Sequence, residues 1–179
     1  MNRITVPFAI ASLAIAGALA GCQSVGNAPS APLGHATLHF ADGRPAGTAQ
    51  LVSSGDGVAV AVTLSGFPAG THAVHLHTTG RCDPPGFTTA GGHLNPDMHE
   101  HGKDNPKGPH LGDLPNAEVG ADGGASISAR LTGTKDTVLA AIYDADGTAV
   151  MVHEKADDYR TDPAGNAGNR IACGVIEAH

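Results

Sequence analysis

Gly47–Leu64 reads GTAQLVSSGDGVAVAVTL, two runs of β-forming residues joined by Ser54-Gly55-Asp56-Gly57. In the second run Val58, Val60, Val62 and Leu64 alternate with smaller or polar residues, the period-two pattern of a strand that buries one face. The glycines and aspartate between the runs allow a tight turn, so the pair predicts an antiparallel hairpin. Alternating or β-branched runs recur on both sides, at His35–Ala41, Thr71–Thr78, Leu114–Val119, Gly124–Leu131, Thr148–His153 and Ile171–Ile176. Asp42-Gly43 and Asp122-Gly123 are further turn signals. Eight short strands of this kind make a sandwich or a barrel, and periodicity alone takes the fold no further than all-β. Val138-Leu139-Ala140-Ala141-Ile142 stays ambiguous, a candidate for a connection crossing the end of the sandwich.

Composition sets limits on this reading. A chain of 179 residues has room for one core and an extension. Its 25 glycines, 12 prolines, four Phe, two Tyr and no Trp suit many short strands and turns better than a helical bundle. No internal repeat is evident. A formal charge of −7 without a basic stripe argues against nucleic acid as a partner, since duplex binding is driven by clustered Lys and Arg.

Six histidines and one aspartate stand at set intervals in this framework: His75-Leu76-His77, then His93, His101, His110 and Asp113, then His153. Neutral imidazole suits zinc and copper, and seven ligands can build two adjoining sites when one of them serves both. A histidine on its own is ordinarily a surface or hydrogen-bonded residue; the clustering is what points to a bimetallic centre. Residues i and i+2 of a strand face the same side, so His75 and His77 can reach one metal while Leu76 turns away. Between Thr78 and Gly112 almost no period is visible. So long a structureless stretch in a compact domain is functional or disordered, and its three ligand-type histidines favour function.

These segments resemble the copper,zinc superoxide dismutases, most closely their bacterial secreted branch. The resemblance lies in His75-Leu76-His77, Ala90-Gly91-Gly92-His93-Leu94-Asn95-Pro96, His101-Gly102, His110-Leu111-Gly112-Asp113-Leu114, Val152 to Asp158 and Gly165 to Ile176, and it runs from about Leu33 to Ile176. It implies an eight-stranded, immunoglobulin-like Greek-key β-sandwich or barrel with long metal-binding loops. It also implies copper on His75, His77, His93 and His153, and zinc on His93, His101, His110 and Asp113. The shared His93 would bridge the two ions with both ring protons lost. Asp157 would join a copper histidine to a zinc histidine, and Arg170 would supply positive charge beside the copper. His72 matches a structural position, whereas His35, His39, His99 and His179 read as surface residues.

The implied reaction is dismutation of superoxide, an antioxidant defence of the bacterial cell envelope. Cupric ion takes an electron from one superoxide to give dioxygen, and cuprous ion reduces a second to hydrogen peroxide. His93 is released from copper on reduction and carries a proton, so Arg170 and His93 are the catalytic side chains. Zinc keeps its redox state and holds the loop. The resemblance further implies a Cys82–Cys173 disulfide, whose closed loop of about 90 residues corresponds to ~4–5 kcal/mol in the chain-entropy model. Both a monomer and a homodimer stay open.

Some features depart from the family pattern. His153 and Arg170 are close in sequence, and the charged residues that shape the field of that loop in eukaryotic enzymes have no counterpart. Ala164 stands where a channel threonine is usual. Arg81, Lys103, Lys107 and Lys155 are therefore candidates for steering the anion. A non-catalytic copper- and zinc-binding lipoprotein is the alternative of another class; such relatives usually lose a copper ligand or the arginine, and here all are present. A β-sandwich adhesion module would not need these ligands.

Residues 1–21 read as a lipoprotein signal peptide: Arg3, an apolar run from Ile4 to Ala20, and the cleavage box Leu19-Ala20-Gly21-Cys22. A plain secretory signal or a membrane-spanning helix are the other readings; Pro7, Ser12 and Gly17, with no stop signal following, weigh against the second. Cys22 would carry the lipid and residues 22–32 would be a flexible tether to a domain at 33–179. The expected location is the periplasmic face of the envelope, and Gln23 after the cysteine favours the outer membrane. Loss of Arg3 makes the mature chain one unit more negative.

Overall fold

The computed structural model describes Met1 and residues 32–179; the signal segment, the box ending at Cys22 and the tether as far as residue 31 lie outside the described residues. Ten strands follow: β1 (Pro32–Phe40), β2 (Pro45–Ser54), β3 (Gly57–Leu64), β4 (Gly70–His72), β5 (Val74–His77), β6 (Ala117–Val119), β7 (Ala125–Arg130), β8 (Ala149–His153), β9 (Arg170–Val175) and β10 (Glu177–Ala178). Each expected run holds a strand. Pro32, the last residue of the expected tether, already belongs to β1. The Thr71–Thr78 run divides at Ala73, whose N–H donates to the Lys155 carbonyl and whose carbonyl accepts from His153.

The main antiparallel sheet has the order β5-β8-β9-β1-β2-β3-β7, with β10 also on β1, while β4 and β6 pair separately. After the β1-β2-β3 meander the next neighbour of β3 is β7, so the chain leaves β3 and crosses by way of β4 to β5 at the other edge. That crossing is the Greek-key step, and the strongly curled sheet forms a half-barrel. The hairpin read from residues 47–64 is present in full, with Ser54 opposite Gly57 and Gly47 opposite Leu64.

Alternation fills the barrel. Ala36 and Leu38 of β1, Ala49 and Leu51 of β2, Val58, Val60, Val62 and Leu64 of β3, Val74 and Leu76 of β5, and Val150 and Val152 of β8 share one core. Burying one such side chain contributes on the order of 1.5–3 kcal/mol. The ambiguous run after Gly133 is a helix, α1 (Lys135–Ile142), started by Thr134, whose hydroxyl accepts from the Thr137 N–H at 3.3 Å. Val138 and Ile142 lie four apart and close the end of the core.

β5 and β8 are buried on both faces. Their second face carries His75, His77, Ala149, Met151 and His153, and the long loop after β5 covers it. Phe87, Ala90, Ala149, Met151 and Cys173 form a small second core there, with Cys82 packed against it. The Cys82–Cys173 disulfide ties this loop to β9, with the two Cα atoms 5.6 Å apart. Among the described residues no helix is long and apolar enough to cross a membrane.

Candidate metal centre

Strand alternation delivers the first two ligands. Leu76 is fully buried in the main core, so His75 and His77, on either side of it, must face the loop. The loop then adds its own residues along the free edge of β5. Asp113 bridges to His75 and His93 to His77, while Leu76 donates to the Gly112 carbonyl at 2.9 Å and accepts from Leu94 at 2.8 Å. His153 arrives from β8, the partner of β5.

His75, His77, His93 and His153 each offer one atom to a group whose atoms lie within 4.8 Å of one another; His93, His101, His110 and Asp113 form a second such group. His93 belongs to both. In the first group the second ring nitrogen is already engaged for three members: His75 Nε2 with Asp157 at 2.9 Å, His77 Nδ1 with the Gly91 carbonyl at 3.0 Å, and His153 Nδ1 with the Gly168 carbonyl at 3.4 Å. What remains is His75 Nδ1, His77 Nε2, His93 Nε2 and His153 Nε2, all buried and all without a hydrogen-bond partner. Unpartnered buried polar atoms are costly, and four of them facing one point fit a metal ion.

The second group is tighter. His93 Nδ1, His101 Nδ1 and His110 Nδ1 lie 2.9, 3.0 and 3.2 Å from Asp113 Oδ1, and His93 Nδ1 is 3.4 Å from His110 Nδ1. A tetrahedral zinc with bonds of about 2.0–2.1 Å sets its ligands roughly 3.3 Å apart, so these donors stand close to the edges of that figure. The other oxygen of Asp113 accepts from the N–H groups of Gly102 at 2.9 Å and His110 at 3.0 Å, which fixes the carboxylate.

Asp157 joins the two groups. It is buried, with Oδ2 accepting from His75 Nε2 and Oδ1 from His101 Nε2, both at 2.9 Å. Its own N–H donates to Asn116 Oδ1 at 2.9 Å. Gly165, at φ +64°, closes over this link, and a Cβ there would collide with the Asp157 carboxylate. Burial would raise the Asp157 carboxyl pKa, but the hydrogen bonds from His101 and His75 hold it well below the usual carboxylate range.

Burial also prepares the imidazoles. It pushes His77 down to about 2, helped by His93 and Arg170, His153 to about 3, and His93 to about 4 against the pull of Asp113. These rings are neutral at pH 7, the form that binds a metal. His101 behaves oppositely: burial alone would lower it, yet hydrogen bonds to Asp113 and Asp157 raise it to about 9.

A cavity of about 500 Å³ opens onto the first group and is lined by His77, His93, His153, Asp162, Ala164 and Arg170 among others. Arg170 is fixed on its wall, with Nη1 donating to the Phe87 carbonyl at 2.8 Å and Nη2 to the Gly91 carbonyl at 2.6 Å. Both carbonyls belong to the loop tied down by Cys82. None of the four proposed steering cations lines this cavity. Arg81 pairs with Asp83 at 2.6 Å, Lys107 with Glu100 at 2.8 Å, and Lys103 lies over the Tyr159 ring at 3.9 Å. Lys155 packs its methylenes near Gly168, which does line it.

Sequence reasoning missed two participants. Asp162 accepts from the His101 N–H at 2.7 Å, and His99, read as a surface residue, is exposed but lines the cavity. The carbonyl of His99 accepts from His110 Nε2 at 3.1 Å, leaving His110 Nδ1 for the second group. Backbone acceptors of this kind leave no signal in residue identity. His72 has the structural place expected of it, with its ring between the carbonyls of His153 and Pro68 at 2.8 and 3.1 Å.

A family model described as copper/zinc superoxide dismutase (SODC) matches residues 45–176. Superoxide dismutase (Cu-Zn) 1 of Aquifex aeolicus is 39% identical over 146 residues, covering 80% of this chain and 86% of that protein. A crystal structure of a SOD-like protein from Bacillus subtilis aligns with TM-score 0.76 and 37% identity over 82% of this chain and 100% of that one. The Cu/Zn superoxide dismutase from Brucella abortus aligns with TM-score 0.65 and 28% identity, over 80% and 98%.

Proposed function

The chain belongs to the copper/zinc superoxide dismutase family and dismutates superoxide with copper and zinc as cofactors, and from that premise we propose which of its residues do so. His75, His77, His93 and His153 hold copper; His93, His101, His110 and Asp113 hold zinc. The observation that carries this is the set of four unpartnered nitrogens, one on each copper ligand. When bound, copper supplies the electron exchange that turns one superoxide into dioxygen and another into hydrogen peroxide, while zinc adds fixed positive charge.

The chain's own residues do the rest. Arg170 offers a permanent charge and a planar fork on the cavity wall, held by two carbonyls so that it need not reorganise when an anion enters. His93 Nε2 faces the copper group and is the atom placed to hold a proton for the peroxide product, while Nδ1 stays with the zinc group. Asp157 locks the ring orientations of His75 and His101 and so couples the two sites.

Metal analysis of Asp113→Ala tests the division of ligands. Its carboxylate is the only acid among the zinc ligands, so zinc affinity is expected to fall by more than ~100-fold while copper still binds. Loss of copper with zinc retained would overturn the assignment.

The cellular setting rests on sequence. Arg3, the apolar run and Leu19-Ala20-Gly21-Cys22 support cleavage before Cys22, acylation of that residue and attachment to the periplasmic face of the envelope, with Gln23 favouring the outer membrane. Residues 22–31, rich in Ser, Ala, Pro and Asn, serve as the tether. Mass spectrometry of the mature N-terminus is expected to find an acylated Cys22, and Cys22→Ser is expected to leave the membrane fraction. An unmodified N-terminus at another residue would exclude the anchor.

A further inference from the structure

The cavity that opens onto the copper ligands is lined by five histidines, the Arg170 guanidinium and a single carboxylate, that of Asp162. The ligand assignment makes no use of Asp162. Its Oδ1 accepts from the His101 N–H at 2.7 Å. The same oxygen lies 4.0 Å from His110 Nε2, which is satisfied instead by the His99 carbonyl. The carboxylate is therefore held by the backbone of the zinc-side loop, while its side chain stays 49% exposed. A negative group on the approach to an anion's site opposes entry of the substrate itself. Holding one backbone N–H does not require that charge, because a neutral carboxamide oxygen accepts the same bond.

Charge distinguishes the small anions that can enter. A guanidinium and bound cations attract every anion, and at a given distance their pull on a dianion is twice that on a monoanion. The planar fork of Arg170 also suits oxyanions such as sulfate and hydrogen phosphate, which it can meet with two parallel N–H groups. With positive charge alone, the cavity would favour those dianions over superoxide. A carboxylate on the same wall subtracts from the attraction of both, and it subtracts twice as much from the dianion.

We propose that Asp162 is a specificity-determining residue, whose charge weakens binding of dianionic oxyanions in the cavity more than it slows entry of the monoanion superoxide. The inference rests on the reading that this cavity leads superoxide to copper, and its test separates the two. Because the carboxylate is fixed by His101 and half exposed, it acts as one screened charge in a set position. Its effect on a monoanion is accordingly modest and weakens as salt rises. Arg170 and Asp162 then divide the work: the first draws anions in, and the second disfavours those with more than one charge.

Asp162→Asn keeps an oxygen for the His101 N–H and removes the charge. In the metal-loaded protein at constant low ionic strength, it is expected to raise the second-order rate with superoxide and the affinity for azide about 3-fold each, and the affinity for sulfate about 10-fold, the square of the monoanion effect. Superoxide consumption, azide titration of the visible absorption of copper, and displacement of that azide by sulfate read the three values. Asp162→Ser, neutral but shorter, is expected to show the same relation between monoanion and dianion, which separates charge from shape. Added salt is expected to shrink every gain. Equal gains for azide and sulfate, or no gain in either neutral variant, would overturn the role of Asp162 while leaving the copper ligands as assigned. Azide that leaves the wild-type copper absorption unchanged would overturn the reading of the cavity as the route to copper.

Discussion

His153→Ala is expected to lose bound copper and at least ~100-fold of the dismutase activity while still binding zinc. His153 belongs to the group of ligands assigned above to copper and not to the one assigned to zinc. Its Nε2 is one of the four unpartnered nitrogens, and its ring is supported by the Gly168 carbonyl rather than by any zinc-side residue. Truncation therefore removes one donor from one site. The zinc group keeps its four members, and Asp157 still ties His75 to His101. Metal content by mass spectrometry and superoxide consumption by pulse radiolysis, measured on the same preparation, read the two expectations separately. Near-normal activity in a zinc-loaded His153→Ala protein would refute the assignment. The fold is expected to survive: the His153 backbone N–H donates to Ala73, which the substitution preserves, and Val150 and Val152 hold β8 in the core.

Arg170→Glu is expected to lower the second-order rate by ~100-fold and Arg170→Lys by ~10-fold or less, with both metals retained in each. Charge decides between the two. The chain is negative overall and its substrate is an anion, so approach depends on a local positive field. Arg81 and Lys107 are each paired with an acid, and among the described residues Arg170 is the one Lys or Arg lining the cavity. Burial lowers the Arg170 pKa, yet a guanidinium stays charged throughout the working range. Glutamate reverses the charge at that wall. Lysine keeps it but cannot satisfy the Phe87 and Gly91 carbonyls with the same fork, so some loss follows from a less fixed position. Added salt should slow the wild type modestly, because a Debye length of about 10 Å at 0.1 M screens distant charges more than one on the cavity wall. Equal rates for the Lys and Glu variants would show that Arg170 does not act through its charge.

Local pattern made much of this molecule legible. The alternation of Val58, Val60, Val62 and Leu64 specifies a strand because side chains in β structure change face at every residue, and the Gly-Asp-Gly turn has few other uses. By the same rule His75 and His77 had to share a face away from Leu76, and they do. Where the signal is short it failed: Val138–Ile142 carries apolar residues that suit a strand or a helix, and the Thr134 cap settles it as a helix.

The residue types and spacings of this chain determined that it is all-β, that it carries a histidine-rich metal centre and that its long loop is functional, since each depends on side-chain chemistry or on period. Tertiary structure alone decided which nitrogen of each ring is free, that Asp157 spans His75 and His101, that two loop carbonyls hold Arg170, and that His99 reaches the cavity. Those facts depend on where backbone carbonyls and distant loops come to rest around β5 and β8. A carbonyl is the same group in every residue, so its partner is chosen by the fold and leaves no trace in the sequence.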